Sequence, residues 1–243
     1  MLVLLPPSET KAPAGDGPPL RLDALAHPEL TPTRRKLIDA LVTLAGDVPA
    51  GLAALGLSER QGGELERNAA VWTAPTLPAL HRYTGVLYTA LDAGSLRPAA
   101  RARLAVASAL FGLLAAADPI PVYRLSAGCA LPGAGPLRSV WRPVLVPLLA
   151  GVAGLVVDLR SGGYTALGPV PGAVTVLVLS DDGHGRRRPV SHHNKSHKGR
   201  LARLLAEAPR EVSDADGVAR IARRCGLRAH PTGEHALELV VPA

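Results

Sequence analysis

Short apolar runs and helical stripes of apolar residues alternate along this chain. Leu2–Leu5, residues 155–159 and residues 174–179 are continuous runs rich in Leu and Val, which predicts buried strands. Elsewhere the apolar residues recur every three or four positions, as on one face of an amphipathic helix. This spacing predicts helices at residues 33–44, 51–68 (broken by glycines), 99–114 (the clearest stripe), 141–150, 195–206 and 214–224.

Proline, glycine and aspartate mark the connections between these elements. Residues 11–19 and 129–136 have the composition of loops, and prolines favour an extended segment over residues 119–125. Residues 181–185 read Asp-Asp-Gly-His-Gly, a turn, so residues 174–191 are predicted as a β-hairpin and residues 236–241 as the last strand. The sequence contains no repeat and no long linker, which predicts a single domain over residues 1–243.

Composition excludes several classes of protein. Hydrophobic residues make up 47% of the chain and aromatic residues only 3%, so the core must be built from Leu, Val, Ala and Ile. Cys129 and Cys225 are too few for a disulfide framework, and the first residues do not resemble a signal peptide. Residues 144–159 are the most apolar stretch, but Pro, Gly and Asp interrupt it, whereas a membrane span needs roughly 20 apolar residues. We therefore expect a soluble, cytoplasmic protein without membrane contact.

The positive charge of the chain is concentrated in one segment. The whole sequence has 27 Lys and Arg against 20 Asp and Glu, a net charge of +7. Residues 186–228 hold 12 of these basic residues and 4 of the acidic ones, so the remaining 200 residues are almost neutral. Charge localised in this way indicates a surface that faces a polyanion, and phosphate is the leading class of ligand.

The predicted helix that starts at Lys195 carries the densest part of this charge. Lys195 and Lys198 are three residues apart, as are Arg200 and Arg203, so each pair lies on one strip of the helix. Basic side chains beside the free N–H groups of a helix start can bind an anion. The other interpretation is an ordinary basic face exposed to solvent.

Two histidines in the same segment have the spacing of metal ligands, but the residues around them argue against a metal site. His193 and His197 have the i, i+4 spacing of a metal-binding helix, but Asn194 occupies the position where metalloproteases carry their glutamate. Sequestration of iron by His192, His193 and His197 is a third functional hypothesis, weakened by the absence of nearby carboxylates. We predict no metal and no cofactor.

Two glycine-containing segments have both a structural and a functional interpretation. Ser161-Gly-Gly-Tyr164 follows a predicted strand, where a turn often contacts a ligand, but it matches neither a P-loop nor a dinucleotide fingerprint nor a nucleophile elbow. Residues 52–62 are compatible with a helix-hairpin-helix that holds a DNA phosphate, and equally with an ordinary pair of helices.

Taken together, several sequence motifs make this chain resemble the YaaA family of peroxide stress proteins. The segments that carry the resemblance occur in the family's order and span the chain. They are Leu4-Leu-Pro-Pro-Ser-Glu-Thr-Lys11, Tyr83-Thr-Gly-Val-Leu-Tyr88, Leu110-Phe-Gly-Leu-Leu114, Asp118-Pro-Ile-Pro-Val-Tyr-Arg-Leu-Ser126, Val157-Asp-Leu-Arg-Ser-Gly-Gly-Tyr164, and Val190-Ser-His-His-Asn-Lys195 with Lys198-Gly-Arg200. One departure is the Arg-Pro pair that the family has after Gly112-Leu-Leu, because alanines stand there in this chain.

The resemblance implies a compact α+β domain, a mixed β-sheet surrounded by helices, with a basic cleft and a helix-hairpin-helix linked to DNA binding. It also implies a role in peroxide stress, where the family limits damage by intracellular iron. The residues expected to bind phosphate are Lys11, Arg124, Ser161, Tyr164, Lys195, Lys198, Arg200 and Arg203, and those expected to line the cleft beside them are Tyr123, His193 and Asn194.

Two functions remain open from the sequence. The first is sequence-independent binding of duplex DNA, without an obligate protein partner and without catalysis. Duplex is favoured because few aromatic residues are available to stack on the bases of a single strand. The alternative is an enzyme acting on a nucleotide or a phosphorylated small molecule, in which Arg124, Lys198 and Arg200 clamp phosphate. Ser161, Tyr164 or Lys11 would then carry out the chemistry.

Overall fold

The structure of the chain, a computed structural model, describes residues 1–182, 186–189 and 194–242. Within them the strands are β1 (Leu2–Leu5), β2 (Gly17–Pro19), β3 (Pro75–Pro78), β4 (Leu104–Ser108), β5 (Gly112–Ala115), β6 (Pro119–Ile120), β7 (Ala130–Leu131), β8 (Gly135–Pro136), β9 (Val156–Asp158), β10 (Val174–Asp181), β11 (Arg187–Pro189), β12 (Arg228–Gly233) and β13 (Ala236–Pro242). The helices are α1 (Thr31–Ala45), α2 (Val48–Leu55), α3 (Gly63–Ala69), α4 (Ala79–Arg82), α5 (Val86–Leu91), α6 (Pro98–Arg101), α7 (Leu137–Ala150), α8 (Gly162–Leu167), α9 (Asn194–Glu207) and α10 (Ala215–Arg224).

An eight-stranded mixed sheet forms the centre of the fold. Its order is β12-β13-β10-β9-β1-β4-β5, and β11 pairs with the far end of β10. Strands β13, β10, β9, β1 and β4 are parallel to their neighbours in this series, whereas β5, β11 and β12 are antiparallel. The parallel strands β4 and β9 are buried along their whole length, which explains their continuous apolar sequences. The α+β class and the mixed sheet are confirmed.

The helix predicted over residues 99–114 is wrong. Only α6 is helical there, and the chain then forms the antiparallel hairpin β4–β5. Gly112 turns the hairpin with φ 74°, against the Trp141 ring, and the Ser108 hydroxyl accepts N–H groups of Leu110 and Phe111. The segment is apolar at nearly every position because it is buried on all sides, and a stripe within such a run does not distinguish helix from strand.

The other predicted helices and strands are confirmed with shifted ends. The helix α7 begins at Leu137, four residues before the prediction, and the hairpin β10–β11 is present, although the tip of its turn, residues 183–185, lies outside the described residues. Strand β12 was not predicted. Within the predicted loops, residues 17–19 pair with β3, and β7 and β8 form a small hairpin.

Helices pack on the sheet and on one another through small and apolar side chains. Helix α9 lies against α5, β1 and β10, and α10 lies against β12 and β13. Helices α1, α2 and α3 pack on one another, and Arg34 of α1 bonds to the hairpin β4–β5. The Arg34 guanidinium is fully buried and donates to the carbonyls of Ala26, Phe111 and Leu113. No helix in the described part of the chain is long and apolar enough to cross a membrane.

The pair α2–α3 occupies the position proposed for a helix-hairpin-helix. Helix α2 ends at Gly56 in the left-handed region, and Ser58 and Gln61 form a capping box around a short 3₁₀ turn before α3. Three glutamates accompany two arginines on this segment, so it offers backbone amides and no excess of positive charge. Its role in DNA binding stays a prediction.

Candidate functional site

A cleft of about 780 Å³ opens at the carboxyl ends of β1 and β9. These strands are adjacent and parallel, and the chain leaves β1 towards β4 on one side and β9 towards β10 on the other. Loops diverge at such a switch point and leave a crevice, which is where α/β sheets commonly bind ligands. The lining comes from residues 6–10, 84–88, 126–128, 159–164 and the start of α9.

The loop after β1 forms one wall of this cleft. The Tyr88 hydroxyl donates to the Pro6 carbonyl (2.8 Å) and anchors the loop as it leaves the sheet. Gly85 packs opposite, with φ 97°, and a Cβ atom there would lie 3.1 Å from Thr10 Oγ1 and 3.2 Å from Ser8 Oγ. Glycine is therefore required both by the backbone conformation and by the close approach of these hydroxyls.

A buried ion pair holds the turn after β9. The Arg160 guanidinium bonds both carboxylate oxygens of Asp158, at 2.7 and 2.8 Å, and also the Gly168 carbonyl at 2.9 Å. Fixing Arg160 in this way sets the start of α8, so that Ser161 and Tyr164 face the cleft. The structure thus places both predicted residues at the site.

Helix α9 contributes two lysines to the lining of the cleft. Asn194, Lys195 and Lys198 line the cleft, and the Lys198 ammonium donates to the Leu159 carbonyl at 3.1 Å. Burial lowers the pKa of Lys198, while the Asp158 carboxylate acts in the opposite direction. Lys195 is exposed. These three predicted residues therefore line the same cleft, and their role in binding phosphate stays a prediction.

A small niche adjoins the cleft and contains Lys11, Tyr123 and Arg124. Its walls include Ser8, Glu9, Ser126 and Tyr164, which also line the cleft, so the two spaces are neighbours. The Arg124 guanidinium pairs with the Glu9 carboxylate at 3.1 Å. The Asn68 side chain of α3 exchanges two hydrogen bonds with the Arg124 backbone, at 2.7 and 2.9 Å, and so fixes this wall.

Lys11 occupies an unusual environment for a charged side chain. Its Nζ lies 4.5 Å from the centre of the Tyr123 ring and 5.5 Å from that of Tyr83, and it donates to the Ser8 carbonyl at 3.1 Å. Burial and, to a lesser extent, the Arg124 guanidinium lower the pKa of Lys11 to about 8, against the opposing effect of nearby glutamates. A substantial fraction of this amine is therefore neutral near physiological pH.

Replacing Lys11 by Met is expected to stabilise the fold below pH 8. The folded pKa is about 8 and the ordinary value 10.5, so the unfolded chain binds more protons between these values and wild-type stability rises with pH across that window. We expect the free energy of unfolding of Lys11→Met to exceed that of the wild type by about 1–3 kcal/mol at pH 7. At pH 9.5 the difference should be at most half as large. Urea unfolding at both pH values measures this. The exposed Lys36→Met is the control, and an advantage that does not change with pH would contradict the lowered pKa.

A chain of buried hydroxyls beneath the niche escaped the sequence analysis. The Tyr123 hydroxyl lies 2.7 Å from Tyr83 Oη and 2.7 Å from Ser108 Oγ. Ser108 already accepts two backbone N–H groups, so its own proton goes to Tyr123, and Tyr123 in turn donates to Tyr83. Burial raises the pKa of both tyrosines, which keeps them neutral. Ser108 was missed because its segment was assigned to a helix.

Two of the predicted site residues that the structure describes line neither the cleft nor the niche. Arg200 is exposed and lies outside the lining of the cleft. Arg203 donates instead to the carbonyls of Leu91 and Asp92, to Ser95 and to Glu207, and so joins α9 to the end of α5. His193 lies outside the described residues, as does His192.

The described residues contain no cluster of potential metal ligands. Within the described ranges no three His, Cys, Asp or Glu side chains gather as a metal site. The iron hypothesis depends on His192 and His193, so it remains untested.

Known proteins of one family match this chain over nearly its whole length. The family model described as peroxide stress protein YaaA matches residues 1–230. A UPF0246 protein of Corynebacterium efficiens is 52% identical over 231 residues, covering 93% of this chain and 94% of the relative. Others from Corynebacterium glutamicum and Streptomyces coelicolor are 47% identical (99% and 100% covered) and 45% identical (88% of each). The chain therefore belongs to the YaaA family of peroxide stress proteins.

Proposed function

We propose that this protein binds duplex DNA through phosphate contacts in the cleft and protects cells under peroxide stress. The observation that carries the proposal is the position of Lys195 and Lys198 on the first turns of α9, facing a cleft of about 780 Å³. No acidic residue lies in the first turn of α9, so its N–H groups and the two ammonium groups add to one positive field.

Exposed arginines outside the lining of the cleft add further positive charge. Arg186 and Arg188 are exposed on and beside β11, and Arg200 is exposed on α9. Arg187 differs, because Glu238 pairs with it at 3.3 Å and partly neutralises it. Cations arranged in this way engage the regularly spaced phosphates of a backbone and read no base, so we infer little sequence preference.

The burial of most aromatic side chains, with Trp72 and Tyr164 partly exposed, favours duplex over single-stranded DNA. Tyr83, Tyr88 and Tyr123 are at most 6% exposed, and Phe111 and Trp141 are fully buried. Bases of a single strand need exposed ring faces on which to stack. Tyr164 alone among the tyrosines retains partial exposure at the cleft. Phosphate contacts must then supply most of the affinity.

Phosphate neutralisation also offers a route to protection against iron. DNA holds a condensed layer of cations, and a protein that neutralises phosphates releases them. Iron(II) displaced from the backbone can no longer generate radicals beside the sugars. We propose this displacement as the link between DNA binding and peroxide stress.

The experiment is a titration of a labelled 20-base-pair duplex by fluorescence anisotropy at several salt concentrations. We expect steep weakening with salt, and for Lys195→Ala/Lys198→Ala a loss of about tenfold or more with a slope shallower by ~1–2. Lys36→Ala on α1 is the matched control and should bind as wild type does. A single strand of equal length should bind more weakly.

Two results would refute the proposal. One is the absence of duplex binding at low salt. The other is binding that the double variant leaves unchanged in affinity and salt slope, which would place the DNA elsewhere on the surface.

The Lys11 niche favours a second candidate, an enzyme acting on a nucleotide or phosphorylated small molecule. Enzymes gather ionisable groups with shifted pKa values beside a cleft, and Lys11 and Lys198 meet that description. Thermal unfolding with nucleotides and sugar phosphates tests it. A shift in the melting temperature that needs Lys11 would support this candidate, and no shift with any of them would count against it.

A further inference from the structure

Lys11 is a largely buried amine without a carboxylate partner. Among the described residues no Asp or Glu oxygen lies within 4.0 Å of its Nζ, whereas the neighbouring Arg124 is paired with Glu9. Lysines are rarely buried unless they are paired. Desolvation and adjacent cations are the conditions that turn a lysine into a nucleophile towards carbonyl carbon, and Arg124 and Arg82 are the cations here.

The size of the niche limits what can reach Lys11. Its volume is about 10 Å³, room for roughly one water-sized group, while the adjoining cleft holds about 780 Å³. A phosphate or a sugar ring is too large for the niche, so a larger molecule would have to approach Lys11 with a small terminal group such as an aldehyde. The body of such a molecule would lie in the cleft, against Lys195 and Lys198.

We propose that Lys11 forms an imine with an aldehyde whose phosphorylated body occupies the cleft. This inference rests on the proposed function, because duplex DNA carries such an aldehyde wherever a base has been lost and the deoxyribose has opened. A free sugar phosphate presents the same chemistry.

The step balances without any oxidant or cofactor. The neutral Lys11 nitrogen attacks the aldehyde carbon and forms a C–N bond, the carbonyl oxygen takes up a proton, and the nitrogen gives one to solvent. The hydroxyl group of this carbinolamine then leaves as water after protonation, and the nitrogen lone pair forms the C=N bond. Tyr164 borders both the niche and the cleft, and we assign its hydroxyl as the donor to the departing oxygen.

Reductive trapping tests the proposal. The full-length protein is mixed with a labelled duplex containing one abasic site and with sodium cyanoborohydride, which reduces an imine to a stable amine. We expect a covalent protein–DNA band that forms faster at pH 8 than at pH 6, because only the neutral amine attacks the aldehyde. The chain has four lysines, so peptide mapping can assign the adduct to Lys11, Lys36, Lys195 or Lys198.

Matched variants and substrates separate the outcomes. Lys11→Arg keeps the charge and should abolish trapping, Lys36→Arg should trap as wild type does, and circular dichroism checks that both are folded. An intact duplex should give no adduct. Deoxyribose 5-phosphate, followed by intact mass, shows whether a free aldehyde also reacts, and an adduct on Lys11 from either source supports the proposal.

Anisotropy on the same samples distinguishes this inference from the proposed function. Binding of the abasic duplex without an adduct, with no adduct from the free aldehyde, overturns the inference and leaves DNA binding intact. An adduct on another lysine, or equal trapping by Lys11→Arg, overturns it as well. Failure to bind either duplex overturns the proposed function. In that case the reaction with deoxyribose 5-phosphate alone shows whether Lys11 forms an imine.

Discussion

Arg82→Ala should be the most destabilising single substitution considered in this protein. The Arg82 side chain is only 1% exposed and donates to four backbone carbonyls, those of Ala12, Ala14, Pro75 and Ile120. These carbonyls belong to the loop after β1, to β3 and to β6, so one guanidinium joins three segments that are distant in sequence.

The cost follows from the acceptors left behind. Each buried carbonyl without a donor costs roughly 1–3 kcal/mol, partly relieved where water can enter, so we expect a loss of about 4 kcal/mol. In a chain of this size that loss lowers the melting temperature by roughly 10 °C. Arg82→Lys should recover only part of it, because an ammonium cannot reach carbonyls on several sides.

Urea unfolding and calorimetry measure this effect, with Arg142→Ala as the control. Arg142 is exposed on α7, so its loss should change stability by less than about 0.5 kcal/mol. A loss below about 1 kcal/mol for Arg82→Ala would mean that the three segments are held together by other contacts. Lys11 precedes Ala12 and forms a backbone bridge with Tyr83, the residue after Arg82. The loss of Arg82 should therefore displace Lys11 and weaken any reaction at it.

Gly199→Ala is expected to force α5 and α9 apart. A Cβ atom at Gly199 would lie 2.2 Å from the Leu87 carbonyl oxygen and 2.9 Å from the Ala90 Cβ. The first of these contacts is with backbone, which no change of rotamer relieves, so the helices themselves must move. Overpacking of this kind costs about 3 kcal/mol.

The movement should also reach the cleft. Helix α5 begins beside Gly85, and α9 carries Lys195 and Lys198, so separating the helices displaces both walls. We expect weaker duplex binding together with the lower melting temperature. Gly63→Ala is the control, because nothing lies within 4 Å of a Cβ there and α3 tolerates alanine. Unchanged stability of Gly199→Ala would show that the helices have room to adjust.

Local patterns in the sequence were enough for much of the fold. The runs at Leu2–Leu5 and in β9 were identified as strands because parallel strands buried on both faces are largely apolar. The run in β10 was also identified as a strand, although it is buried mainly on one face, with Thr175 and Leu177 exposed. The helix α9 was identified because its stripe is amphipathic. The hairpin β4–β5 was not predicted, because burial on all sides leaves no polar positions that would reveal whether the apolar residues follow a helical or a strand period.

By itself, the sequence determined the kinds of residue available to the site, the concentration of charge near α9 and the family. The tertiary structure alone decided which of them meet. Lys195, Ser161 and Tyr164 come together because β1 and β9 are neighbours and their loops diverge, whereas Arg203, on the same helix, faces α5 and serves packing. The environment of Lys11 likewise depends on Tyr83, Tyr123 and Arg124, residues 72 to 113 positions away, which no local pattern could bring to it. Local periodicity reports the face a residue presents, but desolvation and proximity arise only when distant segments pack.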